Sequence, residues 1–153
     1  MDSSLRGTSL KALYSDYIQS FPPLQAGGGL KIENVAIWCI LLCQQNQAGI
    51  KGDLLEIGVW QAHSAALMAS FADSSRKLVL IDILDVSEAI SRIVTPRLGH
   101  ELAEVDFINS SSFSLANSSR LSAYNSSVRF AHIDGQHSYH AVYNDLDIVA
   151  PLL

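Results

Sequence analysis

Four short stretches carry residues whose types and spacing suit chemistry on a small ligand. Glu56-Ile57-Gly58 leads into the turn Val59-Trp60-Gln61-Ala62-His63-Ser64. Asp82 comes next with Asp85 close behind, then Asn109-Ser110-Ser111, and last Asp134-Gly135-Gln136-His137. Gly58 lets the backbone come close to a ligand and take φ values that other residues avoid. The helix start beyond it offers free N–H groups to a carboxylate or phosphate. An acid such as Asp82, about 20–30 residues after a glycine turn, can grip the two hydroxyls of a ribose. Asp134 and His137 are either a pair within a site or a helix N-cap and a first-turn residue. The pattern Glu-x-Gly-x-x-x-Ala lacks the three-glycine dinucleotide fingerprint, which counts against a nicotinamide-dependent oxidoreductase.

Each stretch closes an apolar run. Leu54–Gly58, Lys77–Asp82, Val105–Ile108 and Val128–Asp134 read as four strands. An Ala-rich segment, His63 to Phe71, reads as helix. Ser87 to about Leu102 is mixed, with helical stretches broken near Pro96. In Asn109–Ser127, 12 of 19 residues are Ser or Asn. Such residues favour turns and local side-chain bonds, so this crossover predicts a weak or short helix. Tyr139, Val142, Tyr143, Leu146, Val149 and Ala150 form a helical stripe, and Asp145 and Asp147 are expected to face solvent. Strands alternating with helices imply βαβ units, and ligands of an open parallel sheet bind beyond the strands' carboxyl ends. The expected fold is α/β, a Rossmann-like parallel sheet of about four strands with flanking helices. That domain spans 51–153.

Residues 1–50 read as a helical N-terminal extension. Leu10, Leu13, Tyr14, Tyr17 and Ile18 lie on one helical face. Phe21-Pro22-Pro23 stops that helix and Gly27-Gly28-Gly29 makes a flexible turn. A second helix, about Glu33 to Gln47, carries Val35, Trp38, Cys39, Leu42 and Cys43 on a stripe.

The 153 residues are the length of one ordinary domain. Hydrophobic residues make up 48% and charged residues 16%, the reverse of a disordered composition. A net charge of −5 argues against a nucleic-acid protein held by a basic surface. The longest near-continuous apolar run, Val35 to Cys43, is far short of the roughly 20 residues that a membrane span needs. Met1-Asp2-Ser3-Ser4 lacks a signal peptide's basic start and apolar core. Cys39 and Cys43, four apart on an apolar stretch, read as reduced core thiols and make no disulfide framework. A soluble cytoplasmic protein is expected.

Asp53-Leu54-Leu55-Glu56-Ile57-Gly58-Val59-Trp60-Gln61-Ala62-His63-Ser64-Ala65 resembles the first motif of class I S-adenosylmethionine-dependent methyltransferases. Ile133-Asp134-Gly135-Gln136-His137-Ser138-Tyr139, with Val142 and Asp145-Leu146 after it, resembles one branch of that class. That branch holds the macrocin- and mycinamicin-type sugar O-methyltransferases and proteins labelled cephalosporin hydroxylase. The resemblance covers about residues 50–153 and implies a strand order of 3-2-1-4. It implies that Glu56, Gly58, Val59, Ala62 and Ser64 shape the pocket for the methionine end of S-adenosylmethionine. Asp82 would take the ribose hydroxyls, Ser111 would lie near the adenine, and Asp134 would also border the cofactor. Asp134 would be a ligand of Mg²⁺ and His137 the general base on the hydroxyl of a small molecule or sugar.

The chain departs from the family pattern in several places. Ala62 stands where a glycine is usual, Ser111 where an Asp is frequent, and Gln136 where a second acid is frequent. The family has seven strands and an acidic pair near the end of the fifth, whereas this chain ends at Pro151-Leu152-Leu153. A mean hydropathy of +0.20 fits a core cut away from its covering half. A truncated or degenerate copy is therefore expected, with an open edge at strand four that predicts self-association into a homo-oligomer. The alternative is a non-catalytic remnant that binds a nucleoside cofactor or a protein partner. Of the other histidines, His132 reads as a core or surface residue within strand four, His140 as solvated, and His63 as a turn residue or a cofactor neighbour.

Overall fold

A computed structural model describes residues 9–21, 30–98, 104–116 and 118–153. The chain divides into two compact units, Met1–Ile50 and Lys51–Leu153. The Pro22-Pro23 stop, the Gly27–Gly29 turn, the Met1–Ser4 start and the far end of the Ser87–Leu102 segment lie outside the described residues.

The first unit holds two helices packed on one another, α1 (Leu10–Ser20) and α2 (Ile32–Gln47). The Ser9 side chain caps α1 by accepting from the Ala12 amide at 3.2 Å, which satisfies one of the unpaired donors of the first turn. Of the expected faces, Tyr17, Val35, Cys39 and Leu42 are buried, while Leu13, Tyr14, Ile18, Trp38 and Cys43 are half-buried. Burial raises the Cys39 thiol to about 11, so it stays protonated and inert. No described helix is long and apolar enough to cross a membrane.

The second unit is a four-strand, all-parallel sheet of β1 (Asp53–Ile57), β2 (Lys77–Asp82), β3 (Glu104–Asn109) and β4 (Val128–Ile133), in the order β3-β2-β1-β4. β1 lies centrally and is buried along its whole length, as a strand covered on both faces must be. Its first residue stitches the sheet at the amino end: Asp53 accepts from the Lys77 amide at 2.8 Å and the Ser127 hydroxyl at 2.7 Å. One face carries the main core, with Leu55, Ile57, Val79, Ile81 and Ile108 against Leu121, Tyr124, Ile148 and Leu152. α3 (His63–Ala69) packs on β2, and its Ala65 to Ala69 are all buried.

The two remaining crossovers are irregular. α4 (Ser87–Ala89) runs into a π-helical turn, Ile90–Val94, and a 3-10 turn, Thr95–Arg97, whose proline ends the helix. Between β3 and β4 stand only α5 (Ser112–Leu115) and a 3-10 stretch, Ser119–Tyr124, as the Ser/Asn-rich composition implied.

α6 (Tyr139–Val149) is the expected helix, but the face it buries is not its apolar stripe. Ala141, Asp145, Ile148 and Val149 are buried, whereas Tyr139 is 78% exposed, Tyr143 63% and Leu146 55%. Asp145, expected in solvent, is 1% exposed. Apolar residues occupy more than one face of this helix, so periodicity alone does not choose between faces. The small Ala141 lets the helix approach the sheet, and Asp145 abuts the β4–α6 loop. A Cβ added to Gly135 would lie 3.3 Å from its Oδ2.

Candidate functional site

The chemistry-bearing stretches meet at the carboxyl ends of β1, β2, β3 and β4, because a parallel sheet brings all such ends to one edge. Main-chain bonds tie these ends together. The Gly58 amide donates to the Ile81 carbonyl at 2.9 Å, and the Asp134 amide to Ile57 at 2.8 Å. The Ser110 amide donates to Asp82 at 2.9 Å.

Gly58 is required here for two reasons. Its φ is +90°, and a Cβ would lie 2.3 Å from the Asp134 carbonyl oxygen and 2.7 Å from the Gly135 amide nitrogen. The loop beyond stays strained, with Trp60 at φ +44° and Ala62 at +61°. Such values in non-glycine residues persist only where the surroundings impose them. The imposing group is Asp82. Its Oδ2 accepts from the Val59 amide at 2.7 Å and the Trp60 amide at 2.8 Å, and its Oδ1 from the Leu84 amide at 2.8 Å. This carboxylate, 8% exposed, clamps the glycine loop to the end of β2. Val59 and Ala62 are buried under the loop, and the Trp60 side chain is half exposed.

Glu56 is fully buried. Its Cα partner across the sheet is His132, and Nδ1 of that imidazole lies 2.7 Å from Glu56 Oε1. The other oxygen, Oε2, is buried without a hydrogen bond. Desolvation dominates and raises the Glu56 pKa above its ordinary value. His132 and the neighbouring Ser64 hydroxyl oppose that rise, though Ser64 makes no well-formed bond to Oε2, and the Asp134 charge adds to it. An orphaned, buried carboxylate oxygen is a costly feature that a bound donor would relieve.

Asp134 and His137 follow β4 directly and are exposed. Nε2 of His137 is 3.4 Å from Asp134 Oδ1, and the two side chains are 81% and 56% exposed. Ser111 is the half-buried N-cap residue of α5, and its side chain caps nothing. His63 starts α3, and burial lowers its pKa. Among the described residues no group of three or more His, Cys, Asp or Glu could hold a metal ion.

Asp82 thus bonds the Val59 and Trp60 amides, Gly58 bonds the Ile81 carbonyl and Glu56 bonds His132, with Asp134 and Ala62 on the adjoining turns and Ser64 in the first turn of α3. His137 lies beside Asp134, and Ser111 stands just beyond the end of β3. His132 is the residue that sequence reasoning missed. Its signal was register: with β1 beside β4, His132 and Glu56 fall on one face as direct partners.

A sequence profile for a family described as a methyltransferase domain matches residues 55–153. No curated protein matches the chain.

Proposed function

The chain belongs to the methyltransferase domain family, and from that premise we propose that it binds S-adenosylmethionine and transfers its methyl group to a hydroxyl of a small molecule or sugar. The observation that carries the reading is the Asp82-clamped glycine loop beside a buried Glu56 with one oxygen unpartnered. The residues present suit that cofactor. Gly58 brings backbone to the strand ends with no side chain above it, and Glu56 Oε2 awaits a donor such as an ammonium group. In this reading Glu56, Gly58, Val59, Ala62 and Ser64 hold the aminoacyl end. Asp82 keeps one acceptor site, on Oδ1, beside its three amide bonds and takes the ribose through it. Ser111 and Asp134 border the remainder.

The bound cofactor supplies an electrophilic methyl on a sulfonium. The chain's task is then to place an acceptor oxygen in line with that methyl and remove the acceptor's proton. His137 does the second: Asp134 faces Nε2 and orients the ring, leaving Nδ1 to receive the proton. Among the described residues no cluster of three or more ligands supports Mg²⁺ beside Asp134, and no step is assigned to a metal.

Calorimetric titration of the whole chain with S-adenosylmethionine and S-adenosylhomocysteine tests the reading. Saturable binding of both is expected, and a folded chain that binds neither overturns it. The exposure of His137 also favours a second reading, a binding domain without turnover. Methyl transfer to a panel of hydroxyl acceptors, lost in His137→Ala with cofactor affinity kept, would exclude that second reading.

A further inference from the structure

Glu56 is the one fully buried acid at the strand ends, and its two oxygens are unequal. Oε1 is held by His132 at 2.7 Å, while Oε2 has no hydrogen bond. The neighbouring cross-strand pair on the same face, Leu54 beside Phe130, is apolar, so an acid–imidazole pair is not what that face needs for packing. A buried carboxylate against an imidazole costs desolvation that two apolar residues would avoid. We propose that His132 is a positioning residue for the cofactor: by engaging Oε1 it fixes the Glu56 carboxyl so that Oε2 receives the cationic amino group of the aminoacyl end. The inference rests on the S-adenosylmethionine reading above and deepens it. It assigns recognition of the amino acid moiety to a β1–β4 pair, leaving the nucleoside moiety to Asp82 and the glycine loop.

This division of labour is measurable with two probes. S-adenosylhomocysteine carries both moieties, whereas 5′-methylthioadenosine keeps the nucleoside and lacks the amino acid. Replacing His132 by Phe leaves Oε1 unpartnered as well. Affinity for S-adenosylhomocysteine should fall by roughly tenfold or more, the size expected for a lost bond to a charged group. Affinity for 5′-methylthioadenosine should stay within about twofold. Asn and Gln refine the test without an apolar ring. The amide of His132→Asn sits near where Nδ1 sits and should restore S-adenosylhomocysteine binding. The amide of His132→Gln reaches past that point and should not. A merely structural histidine would move both probes together in every variant, and that result overturns the inference, as does no change in either. If the unaltered chain binds neither probe, the cofactor reading itself fails and the inference falls with it. Binding of both probes by the unaltered chain, with a uniform response in the variants, removes only the role of His132.

Discussion

At the residue scale, the site is built from groups under tension, and two of them give sharp predictions. Glu56 holds its proton more tightly when folded than in the unfolded chain, because burial outweighs the help of His132. A carboxyl with a raised folded pKa binds more protons in the native state, so stability falls as pH climbs above the ordinary value of 4.5. Glu56→Gln removes that dependence. Urea midpoints should show the variant gaining on the parent between about pH 4 and about pH 7, while its cofactor binding is lost. A gap that closes as pH rises would mean that the His132 pairing wins over desolvation. Gly58→Ala meets the Asp134 carbonyl at 2.3 Å from a φ of +90°, where both backbones must move. A loss on the order of 3 kcal/mol or more is expected by chemical denaturation, and an unchanged midpoint would contradict the packing. Gly58 and Asp82 were legible in the sequence because each closes an apolar run, and Glu56 because it is the one charge inside the run Leu54–Gly58. His132 was not, because alternation along one strand does not reveal the residue opposite on a strand some 70 positions away.

At the element scale, the glycine loop and the end of β2 behave as one device. Asp82 satisfies three amides at once, so it is structural before it is anything else. Asp82→Ala should destabilise the chain by on the order of 2–4 kcal/mol as well as weaken nucleoside binding. Hydrogen exchange would separate the effects: the Val59, Trp60 and Leu84 amides should lose protection without ligand present. Retained protection would show that the loop keeps its strained form unaided. The sequence showed where this loop lies, but not that the acid expected to hold a ribose also holds the loop. The same limit applies to α6. Its apolar stripe was real, yet the fold buries the Ala141, Asp145 and Ile148 side, because a small residue at the contact and an acid against the Gly135 loop outweigh apolar count. The Asn109–Ser127 crossover was read correctly from composition, since residues that bond to their own backbone shorten helices whatever surrounds them.

At the scale of the whole molecule, sheet order decides what is left uncovered. The order β3-β2-β1-β4 was expected and puts β4 on an edge, with half-buried side chains along most of its length. The α6 face that the sheet does not use lies nearby and carries Tyr139, Val142, Tyr143 and Leu146, all exposed. Tyr139 and Tyr143 stack at 6.3 Å between ring centroids, which gives that face a flat aromatic surface. Among the described residues β4 pairs with β1 alone, and such an edge beside an apolar surface is a template for another strand and helix. We propose that the occupant is a second copy of this chain, β4 against β4, with the α6 faces meeting alongside. A twofold arrangement makes the two edges antiparallel and pairs their backbone groups with one another. Light scattering coupled to size exclusion should give twice the chain mass at micromolar concentration. The test of the surface itself is Tyr143→Lys combined with Leu146→Lys. These exposed positions bear little on folding, so the variant should keep its thermal midpoint and run at the mass of one chain. A parent that is already monodisperse at one chain mass would refute the pairing. A dimer untouched by the two lysines would place the interface elsewhere.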